Sequence, residues 1–440
     1  MFDFDVNKSF SFLGVFWIPS APDNKIFGEL SYDSETGLSL KIISYQFREM
    51  SDFPEKIQYL FGECEEIGSV SLFNCTNIGE AIGSVFTQKY QVFYALTNIH
   101  YADNAEVFNG FSFHFNELNA FCSNNDSFSI RNNQPLIDCN LKQDYHFSLH
   151  EGFKDGFYLN DIFPSEEKEA LFGENKDKLK DLIVSKPFFY ISVKKKSLSF
   201  SDCFKDINQI EKLFRLLMLR PVSITYCMLK SSKGSHRLIM KPLQSGKDKN
   251  STYRFYLPFR IYDIADNFSE IWAKWEDVLG EMKLNALIVE KFFNERNFGH
   301  ISCGVIISAI REWQEKHGQD TTQKTSLEKF LEENLSEQDE LSEAVREKIK
   351  EYCGTDEFAL LGKFLSKLRA TFLHENKLSE EQTPKEITSA VASDATMRNL
   401  SEILFLLLIR AVLKHLGVTF SQNTNHLLSF HVPNWTNISF

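Results

Sequence analysis

Arg369 and His374 stand five positions apart in the segment LGKFLSKLRATFLHENK, residues 361–377. A guanidinium keeps its charge, and its planar fork meets two oxyanion oxygens at once. An imidazole exchanges a proton near neutral pH. Brought together, the pair could hold a charged group such as a phosphate and move a proton on it. The element that must position them is a helix. At about 100° per residue, Leu361, Leu365, Leu368 and Phe372 form one apolar stripe, and Arg369 falls about 40° from Leu365, at its edge. Lys363 and Lys367 point the other way, toward solvent. On an uninterrupted helix His374 lies about 140° from Arg369. The two share a site only if the helix ends or bends near Leu373, or if a second subunit supplies the opposite wall. Lys363, Lys367, Arg369 and Lys377 outnumber Glu375, so the segment is a basic spot in an acidic region.

The spacing alone is a weak signal. Three segments fit arginine, four to six intervening residues and histidine, where composition gives about one by chance. Arg311 and His317 lie in a polar helix end before Gly318 and read as ordinary surface. His415, following Arg410, precedes Gly417 at a helix C-terminus, where a cationic imidazole is favoured for structural reasons. Only Arg369 and His374 combine a core-edge arginine, neighbouring lysines and a helix exit.

The chain has 440 residues, with 43% apolar and 25% charged. That length exceeds one ordinary core and implies two or three domains of a soluble, globular kind. The net charge of −12 excludes a protein whose whole surface grips nucleic acid, so any such contact must be local. Eight scattered cysteines without a C-x-x-C pair favour free thiols in a reducing compartment. Cys122, Cys139, His146 and His150 are too irregularly spaced for a convincing zinc site, so neither a metal nor a cofactor is expected. The N-terminus carries no signal-peptide pattern. The apolar run ILFLLLI (403–409), cut by Arg410, is too short to span a bilayer. A cytoplasmic protein without a membrane partner is expected.

Those helices sit late in the chain. Residues 1–200 read as β-rich and sandwich-like, or as an open barrel. GELSYDSETGLSLKII (28–43) is a hairpin around Gly37, and runs at 68–73, 91–99, 108–115, 145–150 and 188–193 are further strands. This half suits a structural or recognition role. Residues 201–266 connect the halves: a helix at 206–219, then strands at 223–229 and 252–263 around a basic loop. That loop holds Lys230, Lys233, Arg237, Lys241, Lys247 and Lys249 against Asp248, and reads as a solvated hairpin or a hold on phosphate backbone. Residues 267–440 form a helical bundle, with a capping box at Thr325–Glu328 opening an amphipathic stretch that ends at Gly354. The fold class is α+β.

The segment LRATFLHENK and its flanking helices resemble the HEPN superfamily. The stretch GVFWIPSAPDNKIFGELSYDSETGLSLKI (14–42) resembles the partner domain of its ApeA-type subgroup, in its aromatic start, proline-containing link, GEL strand and hairpin. The resemblance implies a metal-independent RNA endonuclease of abortive-infection defence against bacteriophage. It would use Arg369 and His374 as catalytic residues in a homodimer cleft, on an RNA substrate of which tRNA is one candidate, and respond to a phage-derived trigger. Lys363, Lys367 and Lys377 would hold the RNA. Two positions depart from the family pattern. Ala370 stands where active members often carry Asn, Asp or His, and Asn376 stands where a related toxin subgroup has a modifiable tyrosine. The alternative reading is a non-catalytic HEPN module for dimerisation, RNA binding or sensing.

Overall fold

The computed structural model describes residues 9–45, 53–101, 108–115, 118, 121, 128–131, 134–137, 145–147, 157–165, 186–219, 222, 224–240, 257–259, 261–281, 300–317, 325–374, 394–421, 424–425 and 428. The chain forms two compact units. One comprises Met1–Glu211 with Val222–Lys247, the other Lys212–Pro221 with Asp248–Phe440.

The first unit is an antiparallel sheet. Its strands are β1 (Phe10–Trp17), β2 (Ile26–Asp33), β3 (Gly37–Ser44), β4 (Lys56–Cys64), β5 (Gly68–Ile82), β6 (Phe86–Val92), β7 (Tyr94–Thr97) and β8 (Phe108–Phe115). A short hairpin, β9 (Phe128–Arg131) and β10 (Gln134–Ile137), stands apart from them. The sheet resumes with β11 (Tyr145–Phe147), β12 (Phe157–Ser165), β13 (Lys186–Leu198), β14 (Ile224–Ser231) and β15 (Gly234–Met240). The helix α1 (Phe200–Met218) separates β13 from β14, and the boundary between the units falls within it.

The β2–β3 hairpin forms where the sequence predicts it, because its turn is over-determined. Asp33 accepts hydrogen bonds from the Glu35 and Thr36 amides, each at 2.9 Å, and Gly37 supplies a φ of 83°. The pairings then close a ring. β5 pairs β4 along Gly68–Thr76 and β6 along Thr76–Ile82, and β6 leads back through β3, β2 and β1 to β4. Inside lie Phe12, Phe16, Leu30, Tyr32, Leu40, Leu60, Leu72 and Tyr90, all buried. Two glycines make room for the Phe16 ring: a Cβ on Gly62 would stand 2.5 Å from it and one on Gly28 3.1 Å. From β5 the sheet runs outward through β7, β15, β14, β8, β13, β12 and β11.

The basic loop expected after β14 is instead partly core. A tight turn at Ser231–Gly234 joins β14 to β15. Arg237 is 7% exposed, lies 3.8 Å over the Tyr226 ring and donates to the Thr225 carbonyl. Lys241, Lys247 and Lys249 lie outside the described residues. The strand expected over 252–263 is corrected where it is described: Ile261–Ile264 is a helical turn. Pro258 has no amide proton to give a ladder, and Leu257 and Phe259 beside it are buried without one.

The second unit is helical. Its helices are α2 (Phe268–Glu281), α3 (His300–His317), α4 (Ser326–Leu335), α5 (Glu340–Cys353), α6 (Phe358–His374) and α7 (Asp394–His415). The Thr325 hydroxyl accepts from the Glu328 amide, as the capping box predicts, and Gly354 ends α5 with φ 70°. The single amphipathic stretch expected between them is broken into α4 and α5. Asp339 re-caps the chain by accepting from the Ser342 amide at 3.0 Å. The apolar α7 is buried along Leu400–Leu413 as its composition demands. Among the described residues no helix is long and apolar enough to cross a membrane. The six described cysteines (64, 75, 203, 227, 303 and 353) are buried, and none forms a disulfide among the described residues.

Candidate functional site

Helix α6 carries the leading pair. Its buried side is Leu361, Phe364, Leu365 and Leu368, packed against α3 and α4. The apolar stripe read from the sequence is therefore the core face, widened by Phe364. Gly362 meets the start of α4 closely: a Cβ there would lie 3.0 Å from both Thr325 Oγ1 and the Glu328 amide nitrogen. At the helix start, the Arg346 guanidinium of α5 sits 5.6 Å from the Phe358 ring centre. These contacts fix α6 along its first turns and on one side.

Arg369 is half-buried, at the border that its angular position requires, and Ala370 beside it is also half-buried. Lys363 and Lys367 are exposed. Among the described residues, Arg369 forms no hydrogen bond or ion pair. The backbone is helical through His374, the last residue of α6. The helix end that a one-chain site needs near Leu373 therefore comes later. The Phe372 and His374 side chains and all of Lys377 lie outside the described residues.

The other two arginines of the same spacing are differently placed. Arg311 is exposed and holds Glu315 one turn on at 2.6 Å, a surface pair. Arg410 is 0% exposed, in the middle of the bundle. It donates to the Asn334 carbonyl at 3.2 Å, the Ser342 hydroxyl at 2.7 Å and the Glu337 carboxylate at 2.7 Å, and also to Asp339. Lys414, one turn further, takes the other oxygen of Glu337. Burial pushes the Asp339 carboxyl upward. Hydrogen bonds from Arg410 and from the Ser342 amide outweigh it, so the group titrates below its ordinary value. Both terminal nitrogens are thus engaged, whereas the buried Nε has no partner among the described residues, and the side chain ties α7 to the α4–α5 junction.

The carboxylates around Arg410 were not foreseen from the sequence, although Asp339 at a helix start was a visible signal. Equally unforeseen is the meeting of His317 and His415, whose ring centres are 4.2 Å apart. Among the described residues no group of three or more metal-binding side chains converges. Cys122, Cys139 and His150 lie outside the described residues, as does the His146 side chain.

The chain matches the family model described as ApeA N-terminal domain 1 over residues 11–275. No curated protein and no solved structure matches it. The matched span covers the ring, the outer strands, α1 and part of α2, and stops short of α6. It takes in more than half of the chain, including the GEL strand and the hairpin that follows it. The glycine of that strand is one of the two that admit Phe16, so the resemblance rests on residues with a packing reason to be there. The chain belongs to the ApeA family, which is associated with antiphage defence.

Proposed function

We propose that this protein is a metal-independent RNA endonuclease whose catalytic residues are Arg369 and His374, working in a cleft between two copies of the chain. The observation that carries this reading is the contrast in engagement: both terminal nitrogens of Arg410 donate to protein acceptors, whereas Arg369 stands at the core edge without an acceptor among the described residues. A guanidinium so placed needs an anion or water. Exposed Lys363 and Lys367 on the same helix favour a phosphate, and Lys377 would extend that hold.

RNA brings its own nucleophile, the 2′-hydroxyl next to each phosphodiester. His374 manages the proton as that oxygen attacks phosphorus. Arg369 neutralises the charge that builds on the non-bridging oxygens. The bond to the 5′-oxygen then breaks, leaving a 2′,3′-cyclic phosphate. Five helical residues turn the chain through about 500°, a net 140°, and advance it about 7.5 Å. Since α6 continues to His374, one copy presents the two positions on different sides, which supports a cleft shared with a second copy. The sheet unit, carrying the family match, would sense a phage-derived trigger or position the RNA.

The test is induction of the chain in bacterial cells with sequencing of RNA ends. New fragments with 2′,3′-cyclic ends, together with growth arrest, are expected from the wild type, and neither from His374→Ala. Full toxicity and cleavage in His374→Ala would remove the assignment. Unchanged cleavage in a destabilised Arg369→Lys would instead favour the second reading, a dimerisation or RNA-binding module with a structural arginine.

A further inference from the structure

Strand β5 runs on past the strands that bury its first half. On its β4 edge the last contact among the described residues is the Asn77 amide on the Glu55 carbonyl, at 2.8 Å. From Ile78 to Ile82, among the described residues, it pairs with β6 alone. All five residues are exposed, Ile78 at 54% and Ile82 at 75%. A Cβ added to Gly79 would meet no atom within 4 Å, so the space beside this edge is open.

The hairpin tip fixes which backbone groups are free. The Gly83 amide donates to the Val85 carbonyl. Hydrogen-bonded and open positions alternate along an antiparallel pair. Ala81, opposite Thr87, therefore turns its backbone toward β6, and Glu80 and Ile82 turn theirs away. An amide and a carbonyl from each of those two residues point outward, a template for one more strand. Their side chains share a face of the sheet. Glu80 is held there: its Oε1 accepts from the Asn77 and Gln88 side-chain amides, each at 2.9 Å, and no described residue bonds its Oε2.

Charge decides what fits. A second copy paired about a two-fold axis would set Glu80 against its own counterpart or against Ile82, and in neither case supply a cation. The edge is also far shorter than the roughly 20–30 residues a side of a stable interface. A short extended segment with a lysine or arginine between two apolar residues answers both Glu80 and the isoleucines flanking it. The net charge of −12 draws such a segment in. We propose that Ile78–Ile82 is a docking edge for an extended stretch of another protein, patterned apolar, any, basic, any, apolar, which adds to β5 as a strand. The edge belongs to the sheet unit and does not depend on the chemistry proposed for α6.

The experiment titrates the full chain into the fluorescein-labelled peptide SVTKTVS and reads anisotropy. Saturable binding is expected below about 1 mM. The peptide SVTETVS should bind at least about fivefold more weakly, and Glu80→Lys in the protein should reverse that order. Methylating the backbone nitrogen of the peptide's lysine, which faces β5, should cost at least about fivefold, whereas methylating that of a neighbouring threonine, which faces away, should cost little. No saturable binding, equal affinity for the two peptides, or indifference to the methylated position would overturn the edge. A concentration-dependent dimer of the free chain that Ile82→Lys abolishes would assign the edge to a second copy instead, and also overturn it. The peptide changes are read on the wild-type chain, so they decide the matter even if Glu80→Lys unfolds the hairpin.

Discussion

Arg369 on α6 and Arg410 on α7 share a spacing to histidine and the bundle that houses them, yet they live under opposite conditions. Arg410 is enclosed, and carboxylates, a hydroxyl and a carbonyl take up the donors of its two terminal nitrogens. Arg369 borders solvent with its donors open among the described residues. The difference follows from what each helix faces. Helix α7 is buried on every side from Ile403 to Leu413, so a charge within that stretch must be matched by groups folded in around it. Helix α6 has one buried face, and a guanidinium at its margin can wait for a ligand. A motif of two residue types is thus silent about function until the partners of its charged member are known.

The sharpest way to break this contrast is Arg410→Ala. It leaves the largely buried Asp339 without its cation and opens a cavity beside it, while Glu337 keeps Lys414, and a loss of about 3–5 kcal/mol in urea unfolding is expected. A change below about 1 kcal/mol would mean that the cage contributes little. Arg369→Ala should do the reverse. Stability should stay within about 0.5 kcal/mol, while RNA cleavage falls at least about 100-fold. Equal damage to both properties would put the two arginines in one class.

A smaller effect should come from Gly362→Ala, which sets a methyl group 3.0 Å from the cap of α4 and forces α6 to shift. About 1–2 kcal/mol of stability should be lost, with a several-fold drop in cleavage. Wild-type stability here would show that α6 and α4 are loosely coupled. The least effect is on pH dependence. Asp339 is depressed in the folded state, so its contribution is complete at neutral pH, begins to fail as pH drops past the ordinary 3.8, and is gone below the folded value. Asp339→Asn should flatten that acid limb of the stability curve. An identical limb in both proteins would assign it to other carboxylates.

Much of this was legible in the chain. The Asp33–Gly37 turn, the Thr325 cap and the stripe on α6 follow from local chemistry and read correctly. What local chemistry does not carry is long-range pairing. Nothing between Gly68 and Ile82 announces that one strand serves two neighbours on the same side, so the sequence left sandwich and barrel open and did not show which pairing closes the ring. Arg237 looked like one member of a basic island because its partners, Tyr226 and Thr225, sit across a hairpin. The same holds for His317 and His415, nearly a hundred residues apart, which no spacing rule would join. The edge position of Arg369 was readable from helix periodicity, whereas its lack of a described partner needed the fold.

Strand β5 is a shared wall. Its first half borders β4 on one edge and β7 on the other, and its second half closes onto β6. Barrel and outer leaf consequently stand or fall together: proton exchange at β5 amides should report one concerted opening that both halves obey. Any signal that loosens the rim of the barrel would be felt, through that common stave, in the leaf beyond it.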